Sequence, residues 1–177
     1  MLDASEDAVA NYTYIYTLDG HLLILTAAHL LFSSKYDRTM AGKEIDLPQD
    51  PVFASTVQKG DLVFVKSSNG KLQPQEVLGT MVKEMRGSYA PLTKEGTIVI
   101  NDVAASCYAV INDHHLAHRA FAPLHYLYNV LPSTLLSKQT EGISWYPRLL
   151  QILGSIFLDE NSYYPIESKK LLDINGA

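Results

Sequence analysis

Thr26 and His29 stand three residues apart at the end of the apolar run 23–32, and the chain's single cysteine, Cys107, lies inside a second apolar run, 96–110. These side chains have complementary chemistry. Imidazole titrates near pH 6.5 and moves protons at neutral pH, whereas a thiol, ordinarily at about 8.5, needs help to become a nucleophile. A threonine hydroxyl beside them can hold a peptide or orient the ring through hydrogen bonds. A histidine at a strand end is more often structural than catalytic, so the pair gains meaning only from the elements that position it.

Those elements begin as β-structure. Tyr12, Tyr14 and Tyr16 alternate with Thr13, Ile15 and Thr17, Leu18-Asp19-Gly20 offers turn chemistry, and 21–25 resumes as an apolar run, which predicts a hairpin. Residues 33–51 are polar, with Gly42, Pro48 and Pro51, and read as a long loop. Short strands are expected at 52–57, 61–66 and 75–82, and a second hairpin turns at Asn101-Asp102. Beyond Asn112 the spacing changes. Leu116, Ala120, Phe121, Leu124, Leu127, Tyr128 and Leu131, then Ile143, Tyr146, Leu149, Leu150, Leu153 and Phe157, recur mostly every three or four residues and predict two helices despite Pro123 and Pro147. The division expected is a β core over 1–111 and a helical, apolar tail over 112–177.

Composition narrows the function. A formal charge of −5 and the lack of any Lys/Arg cluster exclude nucleic acid as a main partner. The apolar stretches 116–131 and 143–158 are interrupted and fall short of the ~20 residues of a spanning helix. Residues 1–7 have neither the basic nor the apolar region of a secretion signal, so the chain reads as cytosolic or as a piece of something secreted. One cysteine permits no intrachain disulfide. His114, His115, His118 and His125 raise the question of a metal. His114 and His118 have the i, i+4 spacing of a ligand pair, yet no Glu follows His114 and no cysteine completes a site, so no metal is expected and the histidines read as a solvated helix face. Asn11-Tyr12-Thr13 is a glycosylation sequon in form, at a strand start.

In combination the segments are specific. Thr26-Ala-Ala-His29, then Ala90-Pro91-Leu92-Thr93, Gly96-Thr97, Ser106-Cys107-Tyr108-Ala109-Val110, Leu116-Ala117-His118-Arg119, Ala122-Pro123 and Ser144-Trp145-Tyr146 resemble, in order, the C-terminal autoprocessing part of Hedgehog proteins. The resemblance covers nearly the whole chain. It implies a mainly β fold of the Hint type, a horseshoe of long bent strands, here lacking its N-terminal strands and followed by the helical tail. It also implies a chemistry: a cysteine at the junction turns the preceding peptide bond into a thioester, which the hydroxyl of cholesterol then attacks. The substrate is thus cholesterol, and no cofactor is expected.

Roles follow from the resemblance residue by residue. His29 protonates the departing amide nitrogen and helps deprotonate the thiol. Thr26 holds the scissile peptide or orients the imidazole. The family's acidic residue, the base for the sterol hydroxyl, falls on Asp3 without a gap; Glu6 and Asp7 are nearby alternatives, and a merely solvated acidic end is the competing reading. Cys107 is not at a junction, so it is expected to be a redox or structural partner of the junction cysteine. No cysteine precedes His29, so the chain is expected to be inactive alone and to need the upstream part of its own precursor. Phe121, Trp145, Tyr146, Leu149 and Phe157 are expected to contact sterol or a membrane, and the parent protein is expected in the secretory pathway. Two other readings compete: a non-catalytic sterol- or membrane-binding module, and an intein-like splicing element, disfavoured because the chain ends Asn175-Gly176-Ala177 instead of in the His-Asn of inteins.

Overall fold

The alternation around Tyr12 makes a strand with two unlike faces. In the computed structural model, which describes residues 3–37, 43, 44, 46–48, 50–123, 126 and 164, β1 (Asp3–Thr17) buries Thr13, Ile15 and Thr17 and turns the three tyrosines to the other side. The chain reverses through Gly20, at φ 88°, into β2 (Leu22–Thr26), and Tyr14 pairs with Ile24. After two residues β3 (His29–Leu31) starts in another part of the sheet, followed by β4 (Ser33–Ser34) and β5 (Val52–Phe53). A short 3-10 turn (Ala54–Thr56), β6 (Leu62–Lys66), β7 (Leu72–Ala90), β8 (Thr97–Ile100), β9 (Val103–Ala109) and α1 (His114–Ala120) complete the order.

The strands form one antiparallel nine-stranded sheet ordered β2-β1-β7-β6-β9-β3-β5, with β4 on β6 and β8 on β9. The fold is mainly β, as expected, and both sequence-predicted hairpins form. At the second, Asn101 and Asp102 take φ of 50° and 65°, the left-handed conformation that a tight hairpin turn demands and that these two residue types tolerate.

Two differences from expectation share a cause. Instead of a short strand at 75–82, β7 runs for 19 residues, because its beginning pairs with β6 (Leu72↔Lys66 to Glu76↔Leu62) and its remainder with β1 (Val77↔Thr17 to Ala90↔Asp3). β1 likewise reaches back to Asp3, so that the acidic end is part of a ladder, although Glu6 and Asp7 are solvated. Register shifts between Ser5 and Val9 and between Tyr16 and Thr17 mark irregularities in this long ribbon. The expected strand 52–57 is cut to two residues by the 3-10 turn.

Ile15, Leu23, Leu25, Leu31, Val57, Val63, Val65, Val77, Val103 and Ala105 form the main core. A second cluster joins Leu30, Phe53, Tyr108 and Ala117 to Leu92, Phe121 and Tyr164 and seats α1 on β9. The helix starts at His114, two residues ahead of the first periodic leucine, because the Asp113 carboxylate accepts the Leu116 N–H at 2.8 Å and caps it. The second expected helix, and residues 124, 125 and 127–131 of the first, lie outside the described residues.

Thr13 carries a testable consequence. Its side chain is 2 % exposed, and its hydroxyl has no hydrogen-bond partner among the described residues. Thr13→Val keeps the shape and removes the unpaired hydroxyl, so the urea midpoint should rise, by about 1 kcal/mol in stability. An unchanged or lower midpoint would show that the hydroxyl contributes a bond.

Candidate functional site

β3 and β9 do not run in simple register. His29 pairs with Ala109, yet two residues on Leu31 pairs with Ala105, so Ser106, Cys107 and Tyr108 stand together opposite Leu30. Such a bulge takes backbone groups out of the ladder, and buried ones must be satisfied in another way. The Tyr108 N–H donates to Oγ of Ser106 at 2.9 Å, while on the other edge of β9 the Cys107 N–H donates to the Gly96 carbonyl at 2.8 Å and continues the β8 register. The Ser106 carbonyl accepts from His29 Nε2 at 2.8 Å.

That last bond sets the chemistry of His29. A carbonyl can only accept, so Nε2 carries the proton and Nδ1 is left with a lone pair. Burial lowers the affinity of the ring for a second proton, opposed only in part by the Ser106 carbonyl. The ring remains partly open to solvent. A neutral imidazole with a defined lone pair is a base that can accept a proton and then return it.

Thr26 ends β2 opposite Tyr12, and the Ala27 N–H donates to the Asn11 carbonyl at 3.3 Å. Among the described residues no hydrogen bond joins Thr26 to His29. The hydrogen bond of the imidazole goes to the Ser106 carbonyl, which the bulge brings to Nε2. Cys107 is buried at 3 % exposure, its Sγ 3.5 Å from Thr93 Oγ1. Asp3 pairs with Ala90. Leu92, two residues on, packs against Leu30 and Tyr108. The reach of the chain then puts the Asp3 Cα within about 16 Å of Thr93, at the same end of the sheet as Cys107.

The histidines of α1 differ from expectation. His114 is buried, its Nδ1 3.0 Å from Oγ of Ser106 and its ring edge-on to Phe32 and Tyr108. Burial, then the charges of His115 and His118, lower its pKa against the pull of Asp113. His118 shares a 2.8 Å hydrogen bond with the Tyr108 hydroxyl, whose own pKa is raised by burial and by the Cys107 charge. His115 alone of the three keeps the solvated position expected for all of them. The helix docks over its own polar side because β9 presents hydroxyl groups to it. Gly96 permits the fit. Its φ is +70°, and a Cβ there would lie 2.7 Å from His118 Nδ1 and 2.8 Å from the Tyr108 ring.

Sequence reasoning passed over Ser106, Tyr108, Gly96 and His114 as working residues. Ser106 carried a signal, since it is a polar residue within an apolar strand. Phe121 stacks on Tyr108 at 5.5 Å between ring centroids and is partly exposed. Trp145, Tyr146, Leu149, Phe157 and His125 lie outside the described residues. Among the described residues no helix is long and apolar enough to cross a membrane, and no group of three His, Cys, Asp or Glu is placed to share a metal ion.

A family model described as the Hint module matches residues 1–159. The Indian hedgehog protein of Gallus gallus is 40% identical over 144 residues, which cover 81% of this chain and 34% of that protein. The Sonic hedgehog protein of Danio rerio is 40% identical over 157 residues (81% and 35%), and the hedgehog protein of Drosophila hydei 34% identical over 166 (84% and 33%). The chain spans about a third of the length of the curated relatives it matches.

Two histidines whose pKa values are lowered by burial make stability depend on pH. Both have folded pKa values below the unfolded value near 6.5, so between those values the unfolded chain binds more protons and acid favours it. Stability is complete above about pH 6.5 and declines below it. The urea midpoint should fall between about pH 7.5 and about pH 5.5, and less steeply in His114→Gln. A flat profile would mean that neither ring is held neutral.

Proposed function

The chain belongs to the Hint module family, and on that premise we propose that it supplies the proton-transfer and sterol-handling residues of a Hedgehog precursor that cuts itself and passes its released half to cholesterol. The observation that carries this reading is the His29 imidazole, fixed through Nε2 on the Ser106 carbonyl with its Nδ1 lone pair left for chemistry.

The first step exchanges an amide for a thioester. A cysteine upstream in the precursor supplies the thiol, since the one thiol here, Cys107, is buried within β9. His29 Nδ1 takes the thiol proton as sulfur bonds to the carbonyl carbon, then gives it to the departing nitrogen as the C–N bond breaks. Neutral at rest, the ring can perform both transfers. Thr26 holds the scissile peptide at the end of β2, and Cys107 serves as a redox or structural partner of the upstream thiol. In the second step the sterol oxygen attacks the thioester, the C–S bond breaks, and the Asp3 carboxylate takes the hydroxyl proton. Phe121, Trp145, Tyr146, Leu149 and Phe157 offer apolar surface for the sterol or for the membrane that carries it. This chemistry belongs to the secretory pathway.

Burial of the one thiol also favours a second reading, in which these 177 residues alone bind sterol or membrane without catalysis. In either case the chain alone should keep its intact mass when incubated with dithiothreitol and cholesterol; a defined internal cut would contradict both.

Joined to the upstream segment of its precursor with the cysteine and a reporter, the chain should separate the two steps. His29→Ala should abolish cleavage by dithiothreitol. Asp3→Ala should leave that cleavage intact, because small thiols ionise unaided, and slow cholesterol transfer by roughly 10²–10⁴-fold. Equal loss of thiol cleavage in both variants, or normal cholesterol transfer by Asp3→Ala, would refute this division of roles.

A further inference from the structure

Opposite Leu30 the chain solves a problem that a regular strand does not have. Within the bulge at 106–108 the Tyr108 N–H donates to Oγ of Ser106 at 2.9 Å. The same oxygen shares a second hydrogen bond with His114 Nδ1, 3.0 Å away, in which the tautomer of the ring decides which atom donates. Ser106 is 0 % exposed. The same residue presents its carbonyl to His29 Nε2 at 2.8 Å. One serine is thus gripped on its side chain by helix α1 and grips the imidazole with its backbone.

We propose that Ser106 and His114 are positioning residues for His29: the Ser106 hydroxyl, held between the Tyr108 N–H and His114 Nδ1, keeps the bulged Ser106 carbonyl on His29 Nε2 and so keeps Nδ1 as the reactive nitrogen. The catalytic part of this inference rests on the role given to His29 above; the structural part, control of the His29 tautomer, stands by itself. A loose carbonyl would let the ring rotate or exchange its proton between the two nitrogens, and each such state removes the lone pair from the reacting bond. Phe32, Tyr108 and His118 pack around the His114 ring, so its nitrogen is held to a small range of positions.

The test separates hydrogen bonding from packing. His114→Phe keeps a ring against Phe32 and Tyr108 and removes Nδ1; His114→Asn loses the ring but places an amide group, able to accept or to donate, where Nδ1 was. In the full chain labelled with ¹⁵N-histidine, long-range proton–nitrogen spectra read the tautomer of His29 directly. The parent should show Nε2–H alone. His114→Phe should lower the ratio of that tautomer to the other by roughly tenfold or more, the scale of one lost hydrogen bond, and His114→Asn should retain it. Retention in His114→Phe, or equal loss in both, overturns the proposal; unfolding of both variants assigns His114 to structure alone and also overturns it. In the restored precursor, thiol cleavage should follow the same order, slower in His114→Phe and near the parent rate in His114→Asn. A tautomer that responds as expected while cleavage does not would leave the positioning intact and overturn the role given to His29.

Discussion

The site depends on the surplus of residues on β9. Between the pairs His29↔Ala109 and Leu31↔Ala105 the two strands advance by unequal lengths, and the extra backbone must find partners inside the protein. Its carbonyl goes to an imidazole and an N–H to a side-chain hydroxyl. Had β3 and β9 paired regularly, the Ser106 carbonyl would have been spent on the ladder and His29 would have had no fixed tautomer. The chemistry is therefore set by a departure from ideal sheet geometry.

What places the bulge next to the rest of the site is β7. As partner of β6 at one end and of β1 along the other, it joins the two parts of the sheet with a single continuous backbone. It carries Ala90, opposite Asp3, to within three residues of Thr93, which touches Cys107. Residues from both ends of the sequence converge because one long strand is shared.

Legibility in the sequence followed the range of the interactions. The two hairpins were readable because Leu18-Asp19-Gly20 and Asn101-Asp102 encode their turns locally. Thr26, His29 and Cys107 were readable as a family pattern. The length of β7 was not, since its hydrophobic alternation is weak where β1 alone supports it: Met81, Val82, Lys83 and Glu84 are all exposed. The grip on His29 was not legible either, because a bulge arises from the mismatch of two strands and leaves no mark in one of them. His114 was misplaced because a helix is ordinarily assumed to turn its polar groups to water; here β9 offered Ser106 in place of water.

The hydrogen bond between His29 and Ser106 joins residues 77 apart. Contacts of such separation form only after the intervening chain has been ordered, since their loop entropy must be overcome before they contribute anything. The pairing of β1 with β7 likewise spans most of the domain, Asp3 meeting Ala90. The tautomer of His29 is thus fixed by a contact whose loop entropy must first be overcome. A chain in which β3 and β9 have not yet met has the imidazole but not the carbonyl that fixes its tautomer.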